Sequence, residues 1–164
     1  MVCVSIISFV FCTEVLFFDV AATLVYPPKE NDILSLSVDD VSKAAGVAIN
    51  IFAAAQAALS SFRNPVHRNH PKAFIVTGNV FPFDHDIPTA YWTVGVQKTL
   101  IARVIGNASK DYAESGIKFY FPSLVSKEGR IPDYLEEFSK SGSVHAKVYW
   151  DLINNPETQD WDFR

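Results

Sequence analysis

Short apolar runs bounded by turn residues alternate in this chain with long helical patterns. That alternation restricts the fold more than any other feature of the sequence. The plainest helix begins at Ser37. Val38, Val41, Ala45, Ala48, Phe52, Ala55, Leu59 and Phe62 recur at steps of three and four, which lays them along one helix face. Ser37 followed by Asp40 has the spacing of an acidic capping box, and Asn64-Pro65 ends the run. Ala73-Phe74-Ile75-Val76-Thr77 then reads as a short buried strand closed by Gly78-Asn79. A second helix is expected from about Ala90 to about Ala113, with Gly116 supplying the left-handed stop. Ile117 to Phe121 reads as another strand, ended by Pro122. Pro132 to Phe138 and Val144 to Ile153 read as short helices. Strands separated by helices cannot be joined by tight turns, so they are expected to run parallel with helices over the sheet. An open α/β layer structure follows.

The N-terminus is atypical. Met1 to Val25 is mostly apolar, with no Lys or Arg before Lys29. Glu14 and Asp19 interrupt it, and it is rich in β-branched and aromatic residues. A buried strand or strand pair is the first reading, with Val15 to Ala22 running as a strand into the Pro27-Pro28 loop. A signal peptide or an anchor is the alternative. Apolar residues make up 49% of the chain and charged residues 20%, enough to build a core. The net charge of −4 argues against a nucleic-acid partner. The two cysteines, Cys3 and Cys12, form neither a disulfide framework nor a zinc pattern. His67, His70 and His85 lie in loops without ligand spacing, so no metal site is expected.

Several local features also stand in one order. Ala21-Ala22 follow an apolar run. Asn50 sits in Val47-Ala48-Ile49-Asn50 within the alanine-rich helix. Phe74-Ile75-Val76-Thr77-Gly78-Asn79 comes next, then Lys98, then Gly116-Ile117-Lys118-Phe119-Tyr120-Phe121-Pro122, then His145-Ala146 and Trp161. This succession resembles the latter part of the short-chain dehydrogenase/reductase family, closest to a divergent fungal branch, from about Phe18 to Arg164. The resemblance implies a partial Rossmann-like three-layer fold with a mostly parallel sheet, lacking the first strands. Residues 1–164 would form a single truncated NAD(P)-binding domain, with 1–17 as an atypical apolar segment. A strand supplied from Met1 to about Phe18 would cover the edge left open by the missing strands.

The resemblance implies NAD or NADP as cofactor and a small carbonyl or alcohol as substrate. Lys98 falls where the family has the lysine that binds the nicotinamide ribose; otherwise it is a solvated helix lysine. The family places a proton-donating tyrosine four residues earlier, and here that residue is Val94. Tyr91 is the nearby substitute, on the same helix face but about 10 Å from Lys98 along the axis; otherwise it packs at the helix entry. Asn79 stands in the zone of the family's serine. Thr77, one step earlier, is either a cofactor neighbour or a locally bonded strand end. Asn50 matches the family's helix asparagine, or is a helix amide facing a loop. Ala21, Thr77, Pro122 and Ser123 fall at cofactor-side positions, with Ser123 in place of a glycine and Asp19 in place of an asparagine. His145 reads as a cap or packing residue. Gly46, Gly78, Gly95, Gly106, Gly116, Gly129 and Gly142 form no closely spaced triplet for a pyrophosphate.

The leading expectation is therefore a cytoplasmic oxidoreductase of impaired capacity. An inactive family-like interaction protein or gene fragment is the alternative, with a homodimer through helices 38–62 and 90–113. A membrane-associated fragment is the third reading.

Overall fold

The computed structural model of the chain describes residues 3–4, 7–9, 15–19, 22–84, 86–133, 139–155 and 160–164. Six strands occur among them: β1 (Cys3–Val4), β2 (Ile7–Phe9), β3 (Val15–Asp19), β4 (Ala22–Thr23), β5 (Lys72–Val76) and β6 (Ile117–Tyr120). Three α-helices accompany them: α1 (Val38–Phe62), α2 (Trp92–Asp111) and α3 (Gly142–Asn154). The main sheet has the order β2-β3-β5-β6. β3, β5 and β6 run parallel, and β2 lies antiparallel against β3. β1 and β4 form a separate antiparallel pair. The expected α/β architecture with a mostly parallel sheet is what the chain adopts. The strand expected from the N-terminal segment is β2, which covers the β3 edge. A row of unpaired backbone groups there would otherwise be open to another chain.

Strand alternation separates the core into two faces. Phe74 and Val76 of β5, with Ile117 and Phe119 of β6, join the buried faces of α1 and α2. Phe74 and Phe119 are register partners, their rings tilted with centroids 5.8 Å apart. Ala73, Ile75 and Tyr120 point the other way and pack on Leu152 and Ile153 of α3. The sheet is thus sandwiched, with α1 and α2 on one side and α3 on the other. Each buried Phe, Ile or Leu contributes roughly 1.5–3 kcal/mol.

α1 starts as its sequence predicts. The Ser37 hydroxyl accepts from the Asp40 amide at 3.1 Å and donates to the Asp40 carboxylate at 2.7 Å. Asp39 and Asp40 in the first turn also suit the positive end of the helix dipole. The buried stripe differs from the expected one. It runs through Ala44, Val47, Ala48, Ile51, Ala55, Ala58 and Phe62. Val38 is 84% exposed and Phe52 49% exposed. The buried face is rotated toward Ala44, Val47, Ile51 and Ala58, while Ala53 and Ala57 face out. That rotation keeps Ala48, Ala55 and Phe62 inside and swings Val38 and Phe52 out. Among the described residues α1 alone has the length and apolar composition of a membrane span, yet its alanine stripe lies in the core.

α2 is flanked by single 3-10 turns at Thr89–Tyr91 and Ala113–Ser115, and Gly116 takes the left-handed conformation at φ 70°. The expected helix from Val144 to Ile153 is α3. In the other expected short helix, 132–138, positions 134–138 lie outside the described residues.

Two side chains of α2 hold the segment after β3 in place. Gln97 accepts from the Thr23 amide at 2.9 Å and donates to the Thr23 carbonyl. Thr93 accepts from the Val25 amide and donates to the Val25 carbonyl, each at 3.1 Å. One helical turn apart, they imitate the ladder of a neighbouring strand. Both are fully buried, so the segment's backbone polar groups exchange water for amide and hydroxyl partners. Gln97→Ala should lower stability by about 1–3 kcal/mol, because the Thr23 groups lose their partners. The expected result is a lower urea midpoint with an unchanged slope.

Candidate active site

In open α/β sheets, ligands bind beyond the carboxyl ends of the parallel strands. Here those ends are Thr77-Gly78-Asn79 after β5 and Phe121-Pro122-Ser123 after β6. The Gly78 amide donates to the Pro122 carbonyl at 2.8 Å, and the Ser123 hydroxyl donates to the Asn79 carbonyl at 3.2 Å. The tail fixes the outer side of this pair. Phe121 donates to the Trp161 carbonyl at 2.7 Å and Ser123 to the Phe163 carbonyl at 2.8 Å. Alternate residues bonding in this way extend the ladder past β6. Trp161 covers Gly106 of α2, where an added Cβ would meet its ring at 3.0 Å.

Lys98 enters the site from α2. It is only 5% exposed, so the reading of a solvated helix lysine does not hold. Its ammonium donates to the Thr77 carbonyl at 2.6 Å. A buried ammonium is costly unless hydrogen-bonded, and that carbonyl at the end of β5 meets part of the requirement. Thr77 also reaches the opposite layer. Its hydroxyl lies 2.5 Å from the Tyr149 hydroxyl of α3. One residue thereby joins the cation on one side of the sheet to a phenol on the other.

Burial raises the Tyr149 pKa above its ordinary value, while the Thr77 hydrogen bond pulls it down. Burial likewise pushes Tyr120 up to about 12. Both hydroxyls are therefore protonated at neutral pH. His145, one turn before Tyr149, meets its ring edge-on at 5.9 Å. The His145 Nδ1 donates to the Ser141 carbonyl at 2.9 Å; this bond lies within the first turn and is not the expected cap, since the start of α3 has no side-chain cap. A cavity of about 140 Å³ lies beside these groups. Leu124, Val148 and Phe163 give it apolar walls, and Ser123, His145 and Tyr149 supply polar edges.

The structure brings together Lys98, Thr77, Pro122 and Ser123 among the residues singled out from sequence. Asn79 is adjacent, but its side chain accepts from the Phe81 amide at 3.1 Å and closes a local turn. Tyr91 is exposed at the start of α2 and stacks on Phe81 at 6.1 Å. Val94 is half-buried, and Asn50 is exposed on α1. Asp19 closes β3 in register with Val76. Ala21 and His85 lie outside the described residues. Among the described residues no three His, Cys, Asp or Glu side chains converge. Tyr149 was not singled out from sequence. The available signal was the i, i+4 pair of His145 and Tyr149 on the last helix.

The chain is 32% identical over 111 residues to the short chain dehydrogenase/reductase dmxR12 of Cryptosporiopsis sp. (strain 8999). The match covers 67% of this chain and 42% of that relative, so the chain spans less than half the length of the curated relative it matches. No family model and no solved structure matches. The similarity relates this chain to the short-chain dehydrogenase/reductase family of oxidoreductases.

Gly78 is the tightest point of the site. An added Cβ would lie 2.4 Å from the Ser123 hydroxyl and 2.6 Å from the Phe121 ring. The hydroxyl can rotate away, but the ring is fully buried. Gly78→Ala should cost about 1–3 kcal/mol through overpacking. Ser123→Ala should not restore that loss in a denaturation assay, since the ring contact remains.

Proposed function

We propose that this chain provides the nicotinamide and substrate side of a short-chain dehydrogenase/reductase-like domain, one that interconverts a carbonyl and an alcohol with NAD or NADP. The observation that carries this reading is Lys98, buried and hydrogen-bonded at the carboxyl end of β5. Thr77 leads into Gly78, whose amide holds the Pro122 carbonyl, and the resemblance calls for a ribose-binding lysine at position 98. A charged donor fixed at the strand end suits a sugar hydroxyl.

The residues present fit one half of the dinucleotide. Lys98 and Thr77, with the walls at Pro122 and Ser123, suit the nicotinamide ribose. Among the described residues there is no glycine triplet at a helix N-terminus to seat the pyrophosphate. When bound, the cofactor would supply or accept a hydride. The chain's own part is to hold the ribose at Lys98 and to exclude water along the Pro122-Ser123 wall.

The second reading is an inactive, family-like protein acting by association. Val94 at the tyrosine position favours it. So does a groove of about 610 Å³ between α1 and α2, bordered by Phe52, Leu59 and Tyr112 with Arg63 and Arg103. A homodimer through α1 and α2 would cover this groove and the exposed Phe52.

The oxidoreductase reading predicts saturable energy transfer from tryptophan to NADPH or NADH at millimolar concentration. Lys98→Met should abolish it while leaving circular dichroism unchanged. No transfer with either dinucleotide would contradict the reading. A dimer by size-exclusion in that case would support association instead.

A further inference from the structure

The acid-base position on α2 is occupied by Val94, which has no proton to give, yet a phenol still reaches the end of β5. It comes from α3. We propose that Tyr149 is the proton donor of this site, in place of a tyrosine on α2, acting on a carbonyl compound bound in the cavity bordered by Leu124, Val148 and Phe163. This inference rests on the oxidoreductase reading above and adds the donor and the substrate class to it.

Three observations converge on Tyr149. Its hydroxyl touches the Thr77 hydroxyl at 2.5 Å, and Thr77 is the residue whose carbonyl holds Lys98. Its ring borders the cavity, together with Ser123 and His145. Its backbone lies in α3, whose Leu152 and Ile153 are anchored in the core under the sheet, so the hydroxyl is held rather than swinging. Tyr91 lacks all three features: it is exposed and stacked on Phe81. Burial keeps the Tyr149 hydroxyl protonated at neutral pH, as a donor requires before reaction.

The chemistry balances. With a reduced nicotinamide dinucleotide as hydride source, the carbonyl carbon gains a C–H bond. The electron pair of the C–O π bond moves to oxygen. That oxygen forms its O–H bond with the Tyr149 proton, leaving a phenolate and an alcohol. The phenolate then regains a proton from water through the Thr77 hydroxyl. Thr77 is accordingly a positioning and relay residue, and Lys98 fixes it from below. The cavity, at about 140 Å³ with mostly apolar walls and Arg164 at its border, has the size and lining for a compact aryl or branched alkyl ketone.

The test uses acetophenone with an isotope-labelled carbonyl on the full chain, read by difference infrared spectroscopy with and without NADPH. The expected result is a bound carbonyl band shifted to lower wavenumber, with the shift lost in Tyr149→Phe and kept in Tyr91→Phe. Turnover with NADPH should fall at least ~100-fold in Tyr149→Phe, the scale of a lost general acid. Circular dichroism shows whether the variant still folds, and Thr77→Val, which leaves Tyr149 intact, should weaken turnover while keeping a shifted band. If NADPH neither binds nor reacts while the Tyr149-dependent band shift persists, the oxidoreductase reading fails and Tyr149 is a carbonyl-binding hydroxyl, which overturns its assignment as proton donor. An unshifted band in the wild-type chain overturns the assignment. So does a shift that survives Tyr149→Phe, or one that depends on Tyr91.

Discussion

The hydrogen bond from Lys98 to the Thr77 carbonyl organises the site. A buried ammonium demands a partner, and the carboxyl end of a central parallel strand offers one. Lys98 can reach it only because α2 packs along the same sheet face as α1, through Ile101, Ala102 and Ile105. Thr77 then presents its hydroxyl to the other layer, where α3 supplies Tyr149. The three-layer arrangement and the candidate chemistry therefore meet at one residue. Gly78, with no room for a side chain, lets the Phe121-Pro122-Ser123 segment close over that residue.

The two losses noted in the sequence have different structural meanings. The glycine triplet has no counterpart among the described residues, and β2 lies against β3. Val94 on α2, where the resemblance calls for a tyrosine, is a local matter. Its site neighbours remain in place, and a different phenol stands at the strand end. The similarity to a short-chain dehydrogenase/reductase and a valine at position 94 are compatible, since a fold fixes where chemistry occurs more firmly than which side chain performs it.

Much of the fold was legible because it rests on local rules. The Ser37 cap, the stop at Gly116 and the apolar run of β5 are each dictated by neighbouring residues. The buried stripe of α1 was not, because an alanine-rich helix offers more than one apolar stripe and only the partner surfaces choose between them. Lys98 was legible as a position, but its burial required the packing of α2. The Thr93 and Gln97 clamp and the Tyr149 contact span 68 to 74 residues of sequence, and no local pattern announces such pairings. The polar i, i+4 spacing in both cases was the trace they left.

The most direct measurement of this account is a double-mutant cycle for stability between Lys98→Met and Tyr149→Phe. The two side chains come from opposite faces of the sheet and share Thr77. If Thr77 couples them, the double variant should depart from the sum of the single variants by about 0.5–3 kcal/mol, as members of one hydrogen-bond network do. Additivity within about 0.3 kcal/mol would contradict the account, leaving Lys98 and Tyr149 as unconnected residues on two sides of one strand.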